Sequence, residues 1–213
     1  MQYFNTLPKI ISSNYNGGTI ILTNLLARAN IVPESLKSPL LYYTYDIQEG
    51  DTPEIIASKF YGDPENHWIV LSYNNIIDPQ WDWPLDYNTF IKYVDEKYSA
   101  NGAANTTVQS GITWAMSDNN THAYYKVVTK TSSTGNEFVE KVAVDSGTYN
   151  TLQPSEDVYT LTNGIVKQTI TKEKQSYYDY EFELNESKRV INLLKKEFVP
   201  ELNKEFRRVI NGR

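Results

Sequence analysis

YTYDIQEGDTPEIIASKFYGDPENHWIVLSYNNIIDPQWDWP, residues Tyr43–Pro84, carries in order the signals for a strand, two helices and a bend. YYTYDI (Tyr42–Ile47) alternates apolar and polar positions imperfectly and predicts the strand. Glu49-Gly50-Asp51 turns the chain. Thr52 then offers a capping hydroxyl, and Pro53 takes the first helical position, where its missing N–H leaves nothing unsatisfied. EIIASKFYG puts Ile56, Ala57 and Phe60 on one side and stops at Gly62, suited to a left-handed cap. Asp63-Pro64 repeats the start signal. ENHWIVLSYNN predicts a second helix, with Trp68, Leu71 and Tyr73 at helical spacings and Asn74-Asn75 as its end. WDWPLD interrupts, and DYNTFIKYVDEKY (Asp86–Tyr98) reads as a third helix with Phe90, Tyr93, Val94 and Tyr98 along one side.

Upstream, Thr19–Leu22 (TIIL) is a short β-prone run after the turn Asn16-Gly17-Gly18, and Thr23 is placed to cap a helix carrying Leu25, Leu26 and Ala29. Downstream, from about Gly111 to Ile170, the runs ITWAM, AYYKVVTK, FVEKVAV, VYTLTN and IVKQTIT read as strands. Asn163-Gly164 marks a hairpin between the last two. Further on, Leu184, Ser187, Ile191, Leu194 and Phe198 fall at 3-4-3-4 spacing and predict one amphipathic helical seam, with Glu186 and Arg189 paired along it. Pro200 breaks or restarts that helix, and Leu202, Phe206 and Val209 continue the apolar side. The expected class is α+β. Four segments are expected: an N-terminal arm with a short helix (1–41), a core with the helix that follows it (42–98), a β-rich insert (99–171) and a C-terminal helical segment (172–213).

The chain has 213 residues, enough to bury a core, and 40% of them are hydrophobic, which argues against wholesale disorder. It has no Cys and two His, so disulfides, thiolate nucleophiles and His-rich metal sites are not expected, and no cofactor is implied. Its 17 Tyr suit both cores and protein interfaces. Net charge is −6: residues 172–213 hold ten Lys/Arg against eight Asp/Glu, whereas residues 1–171 hold ten against eighteen. An acidic body argues against non-specific nucleic-acid binding. The first residues lack a basic start followed by a long apolar run. No stretch approaches the ~20 apolar residues of a membrane span, so neither a signal peptide nor a membrane partner is expected.

The order strand, Gly-Asp-Thr, helix, Gly-x-Pro, helix, Asn-Asn-x-x-Asp-Pro resembles a LysM domain over about forty residues, on YDIQEGDTPEIIASKFYG and LSYNNIIDP. The resemblance implies a β-α-α-β frame with a glycan groove formed by Gly50, Asp51, Thr52, Pro53, Asn75, Ile76, Ile77 and Asp78. The same residues also have local jobs. Asp51 and Thr52 serve as turn and cap, and Asp78 before Pro79 starts a turn. Where a LysM domain closes with a strand, this chain reads QWDWPLDYNTFIKYVDEKY, so the closing strand is expected to be very short or replaced. Trp81, Trp83 and Tyr87 would then crowd the groove, where Trp can stack on sugars, anchor a protein or fill a core.

More broadly, the chain resembles the LysM-like baseplate wedge proteins of contractile-tailed bacteriophages, the wedge protein 53 group. The resemblance rests on the Tyr-Phe-x-x-Leu-Pro entry, HWIVLSYNN, DPQWDW, FIKYVDEKY and ELNESKR. It implies a structural virion protein with no catalytic residues, assembled in the host cytoplasm. Its partners would be other wedge and hub proteins of a sixfold baseplate. The expected anchors are Trp68 or Tyr73, Trp81, Trp83 and Tyr87, with Ile191, Leu194 and Phe198 of the terminal seam. A glycan-binding module is the second reading and a cell-wall hydrolase the third. Glu181 and Glu183 are carboxylates on an expected surface helix, and no Gly-x-Ser-x-Gly or P-loop pattern occurs.

Overall fold

The computed structural model describes residues 7–13, 17–24, 38–104, 109–161 and 164–211. In chain order the elements are β1 (Lys9–Ser13), β2 (Thr19–Thr23), β3 (Tyr42–Asp46), α1 (Pro53–Tyr61), α2 (His67–Tyr73), α3 (Pro79–Asp82), α4 (Tyr87–Lys97), α5 (Ser99–Ala103) and α6 (Gly111–Met116). There follow β4 (Thr121–Ser132), β5 (Glu137–Val144), α7 (Ser146–Thr151), β6 (Ser155–Leu161), β7 (Gly164–Ser176), α8 (Tyr177–Glu186), β8 (Val190–Leu194) and α9 (Val199–Asn211). The mixture is α+β. Two compact units divide the chain: residues 1–86 with 186–213, and residues 87–185. The helix expected from Thr23 through Leu25, Leu26 and Ala29 lies outside the described residues, while Thr23 itself ends β2.

In the first unit, β3 pairs antiparallel with β8, Tyr42 opposite Leu194 and Asp46 opposite Val190. Bonds from Ile47 N–H to Arg189 O and from Lys195 N–H to Leu41 O, both 2.9 Å, extend the ladder at its two ends. The closing strand expected to be very short or replaced is replaced: α3 follows Asp78, and the strand comes instead from residues 190–194, which follow the second unit in sequence. One expectation is corrected. The seam Leu184–Phe198 is not one helix, because α8 ends at Glu186 and Ile191 and Leu194 belong to a strand. Ile191 and Leu193, two apart, face one cluster with Ile47, Ile56, Ala57 and Val70. Leu194 faces the other, with Leu7, Trp68, Ile69, Leu202 and Phe206. Burying each such side chain contributes about 1.5–3 kcal/mol, so β8 is stitched in from both faces.

The local signals in α1 are all used. Thr52 Oγ1 accepts from Ile55 N–H, Pro53 opens the helix, and Gly62, at φ 81°, closes it with its N–H on Ser58 O. The α2 helix buries Trp68, Ile69 and Val70, so it is covered on both sides rather than along the expected Trp68–Leu71 stripe. Tyr61 packs against both clusters and donates to Leu194 O at 3.0 Å. Asn74 does the work of a missing neighbouring strand. Its Oδ1 accepts from Asn192 N–H (2.8 Å), and its Nδ2 donates to Asn192 O (2.9 Å) and to Val70 O (2.8 Å). The β1–β2 hairpin completes the unit, with Ile10 opposite Leu22 and Ile11 opposite Ile21.

The second unit holds a four-stranded antiparallel sheet in the order β5-β4-β7-β6. Four of the five runs expected as strands form strands, and β6 pairs with β7 up to Leu161 opposite Gly164; Asn163 of the expected turn lies outside the described residues. ITWAM is instead α6. Ser110 caps it by accepting from Thr113 N–H, and Asp95 Oδ1 of α4 accepts from Ile112 N–H at 3.0 Å. Gly111 is required at this packing, since a Cβ there would stand 2.1 Å from Asp95 O. Glu181, expected on a surface helix, is buried at 4% exposure. Its carboxylate accepts from Lys97 Nζ (2.7 Å), Tyr98 hydroxyl (2.8 Å) and Tyr93 hydroxyl (3.3 Å). Three donors thus satisfy the buried carboxylate.

Candidate functional site

The loop between β3 and α1 is built around Asp51. Asp51 N–H bonds Gln48 O at 3.0 Å and Gly50 takes φ 81°, which closes the turn at little cost for a residue without Cβ. The Asp51 carboxylate points inward. Oδ2 accepts from Tyr45 hydroxyl (2.6 Å) and Gln48 N–H (3.2 Å), and Oδ1 accepts from Lys59 Nζ (2.6 Å). Burial pushes this carboxyl up, but the bonds from Lys59, Tyr45 and Gln48 together outweigh burial and hold it below the usual range. The bond to Asp51, and then burial, push the Tyr45 phenol up to about 12. Trp83 Nε1 donates to Asp51 O at 3.0 Å, and its ring packs against the Ile47 cluster. One side of this loop is therefore pinned by an indole.

The opposite wall comes from the segment after α2. Asn75 adopts φ 55°, its N–H bonds Ser72 O (3.3 Å) and Ile76 N–H bonds Leu71 O (2.9 Å), the paired bonds of a Schellman cap. The chain then enters α3. Asp78 caps α3 through Gln80 N–H, and Asp82 Oδ2 accepts from Ile77 N–H (3.1 Å) and Asp78 N–H (3.0 Å). Those two backbone donors, Asp78 first, hold the Asp82 carboxyl below its ordinary value. Lys188 Nζ donates to Trp81 O at 2.6 Å, so the backbone of α3 is clamped at both ends.

Between the walls lies a cleft of about 460 Å³, within the size range of small-ligand sites. Ile47, Leu71, Pro53, Pro79, Pro84 and Trp83 supply its apolar lining. Gln48, Glu49, Glu54, Gln80, Asp86 and Arg189 supply its polar rim. Of the eight residues that sequence placed at a groove, Gly50, Asp51, Thr52 and Pro53 line the cleft, and Asn75, Ile76, Ile77 and Asp78 do not. The Schellman cap turns those four away and brings Pro79 and Gln80 to the wall in their place. Arg189 was expected only as a helical partner of Glu186. It bonds that carboxylate through Nε (2.7 and 2.8 Å) and also approaches Glu49 at 3.7 Å, tying the β8 entry to the β3 exit.

The expected anchors separate by burial. Trp81 is 61% exposed on the clamped α3 turn, and Ile77 beside it is 66% exposed. Trp83 is half-buried. Tyr87 is exposed in the second unit. Ile191, Leu194 and Trp68 are buried, which removes them as contact residues: their surface already serves the core of the first unit. Phe198 and Tyr73 are partly buried against the Leu194 cluster. Among the described residues, no cluster of three or more His, Asp or Glu side chains is placed to hold a metal ion, and no helix is long and apolar enough to cross a membrane.

No curated protein matches the chain significantly. The family model of base plate wedge protein 53 matches residues 3–209, almost the whole chain. The chain therefore belongs to the base plate wedge protein 53 family, structural components of the phage tail baseplate.

Proposed function

We propose that the chain joins neighbouring wedge subunits around the central hub of a sixfold baseplate, as assembly proceeds in the host cytoplasm. The observation that carries this reading is the setting of Trp81. Its side chain is exposed while its backbone is fixed by the Asp78 and Asp82 caps and by Lys188. A large rigid side chain presented on a pre-ordered turn loses little entropy on binding, the usual condition of an interface hot spot. The frame behind it is LysM-type on this reading, supported by the order β3, α1, α2, β8 with the outer strands antiparallel. The test is reconstitution. Purified wedges lacking this chain are mixed with it and imaged by electron microscopy. Sixfold rings that form only when the chain is added support the joining role, and rings that form equally without it contradict it.

A second reading is favoured by the cleft itself: a saccharide ring would lie against Trp83 and the three prolines. The inward-directed Asp51 carboxylate would take no direct part, leaving Gln48, Glu49 and Gln80 as polar contacts. Titration with chitotetraose decides this reading. Shifts confined to the cleft residues support it, and their absence at millimolar ligand removes it.

A further inference from the structure

The two faces of the second unit's sheet handle charge differently. Cross-strand register places Tyr125, Val127, Thr129, Val139, Lys141, Glu156, Lys167 and Glu173 on one face. There the lysines are neutralised: Lys141 pairs with Glu173 at 2.8 Å and Lys167 with Glu156 at 2.9 Å. The other face carries Lys126, Lys130, Lys172 and Lys174 against two carboxylates, Glu140 opposite Val128 and Asp157 opposite Gln168. None of these four makes an ion pair among the described residues, and Lys126 stands directly opposite Lys172. Like charges directly opposite destabilise a sheet. The Tyr149 ring beneath the Lys172 and Lys174 ammoniums, at 5.0 and 5.9 Å, relieves only that end of the patch. Beside the lysines, on the edge strand β5, Phe138 opposes Lys130 and Val142 opposes Lys126. Phe138 is 60% and Val142 43% exposed.

We propose that this lysine face is a docking surface for a carboxylate-rich patch on a neighbouring baseplate polypeptide. Charge complementarity selects the partner: four cations in no ion pair, in excess over the two carboxylates of the same face and flanked by exposed apolar side chains, match an acidic protein surface with an apolar centre. Residues 87–185 hold eight lysines, no arginine and twelve carboxylates, so the field of the unit as a whole opposes a long polyanion such as DNA. The contact is separate from Trp81 and does not depend on it.

The experiment measures binding of the full chain to purified wedge assemblies that lack it, at two salt concentrations. The double variant Lys126→Glu/Lys130→Glu loses at least tenfold in affinity, Lys126→Arg/Lys130→Arg keeps it, and wild-type binding weakens as salt rises. Thermal melting checks that both variants fold. Lys126→Gln should melt no lower than wild type, because it removes one of two opposed charges. Trp81→Ala, assayed alongside, reports on the joining role alone. Wild-type affinity in the charge-reversed variant, failure of the wild-type chain to associate, or tighter binding to a 20-base-pair duplex than to the wedges each overturns the proposal.

Discussion

Replacing Asn74 tests how the closing strand is held. Asn74 is the hydrogen-bond partner of both Asn192 backbone groups on the side of β8 away from β3. Asn74→Ala strands one N–H and one C=O. An orphaned buried backbone group costs about 1–3 kcal/mol, and both residues are only partly buried, so water recovers some of this. The expected loss is about 2–3 kcal/mol for the first unit. Amide exchange reads the effect at its source: the Asn192 amide should exchange about thirtyfold faster or more, since 1.4 kcal/mol is tenfold. Asn74→Asp is the sharper variant. It keeps the acceptor for Asn192 N–H but turns the donor into an oxygen facing Asn192 O and Val70 O. Near neutral pH it should be at least as unstable as Asn74→Ala. It should recover as pH falls and a proton restores the donor. Less than about 0.5 kcal/mol of change in Asn74→Ala, with Asn192 still protected, would refute the claim that a side chain completes this edge.

Three further expectations concern the same unit. Leu193→Ala opens space in the Ile47–Ile191 cluster, where Leu193 is 1% exposed, and should cost about 2–5 kcal/mol by chemical denaturation. The lowered Asp51 carboxyl contributes stability that is complete above its unfolded value near ~3.9 and lost as pH falls through the folded value, whereas the raised Tyr45 phenol contributes stability lost as pH climbs from ~10 toward about 12. Stability should therefore fall less steeply in acid in Asp51→Asn and less steeply at high pH in Tyr45→Phe than in the wild type. Gly62→Ala forces a side chain into φ 81° and should cost about 1 kcal/mol, while Asn75→Gly at φ 55° should be neutral or stabilising by a few tenths, both read from melting temperature.

What the sequence conveyed well was local. Thr52, Pro53 and Gly62 each act within four residues, so the start and stop of α1 were legible without any tertiary knowledge. The β3 and β7 strands, the turn at Gly50 and the four predicted groove residues that do line the cleft, Gly50 to Pro53, belong to the same class. What it hid was non-local. Ile191 and Leu194 are three apart and Ile191 and Leu193 two apart, so VINLL fits a helix or a strand equally well. Only the unpaired edge of β3, more than 140 residues upstream, decides between them. The α6 helix is similar: its β-prone residues are overruled by Ser110, Asp95 and the contact at Gly111. Asn75 misled for another reason. A residue type suited to a ligand is also one that tolerates a left-handed backbone, and here the backbone role prevails.

The joining role is tested most directly by the affinity of the full chain, wild type against Trp81→Ala, for wedge assemblies that lack it. Losing an exposed but backbone-anchored indole should weaken binding by about 2 kcal/mol or more, roughly thirtyfold, with melting temperature unchanged. Equal affinity for the two proteins would contradict the account.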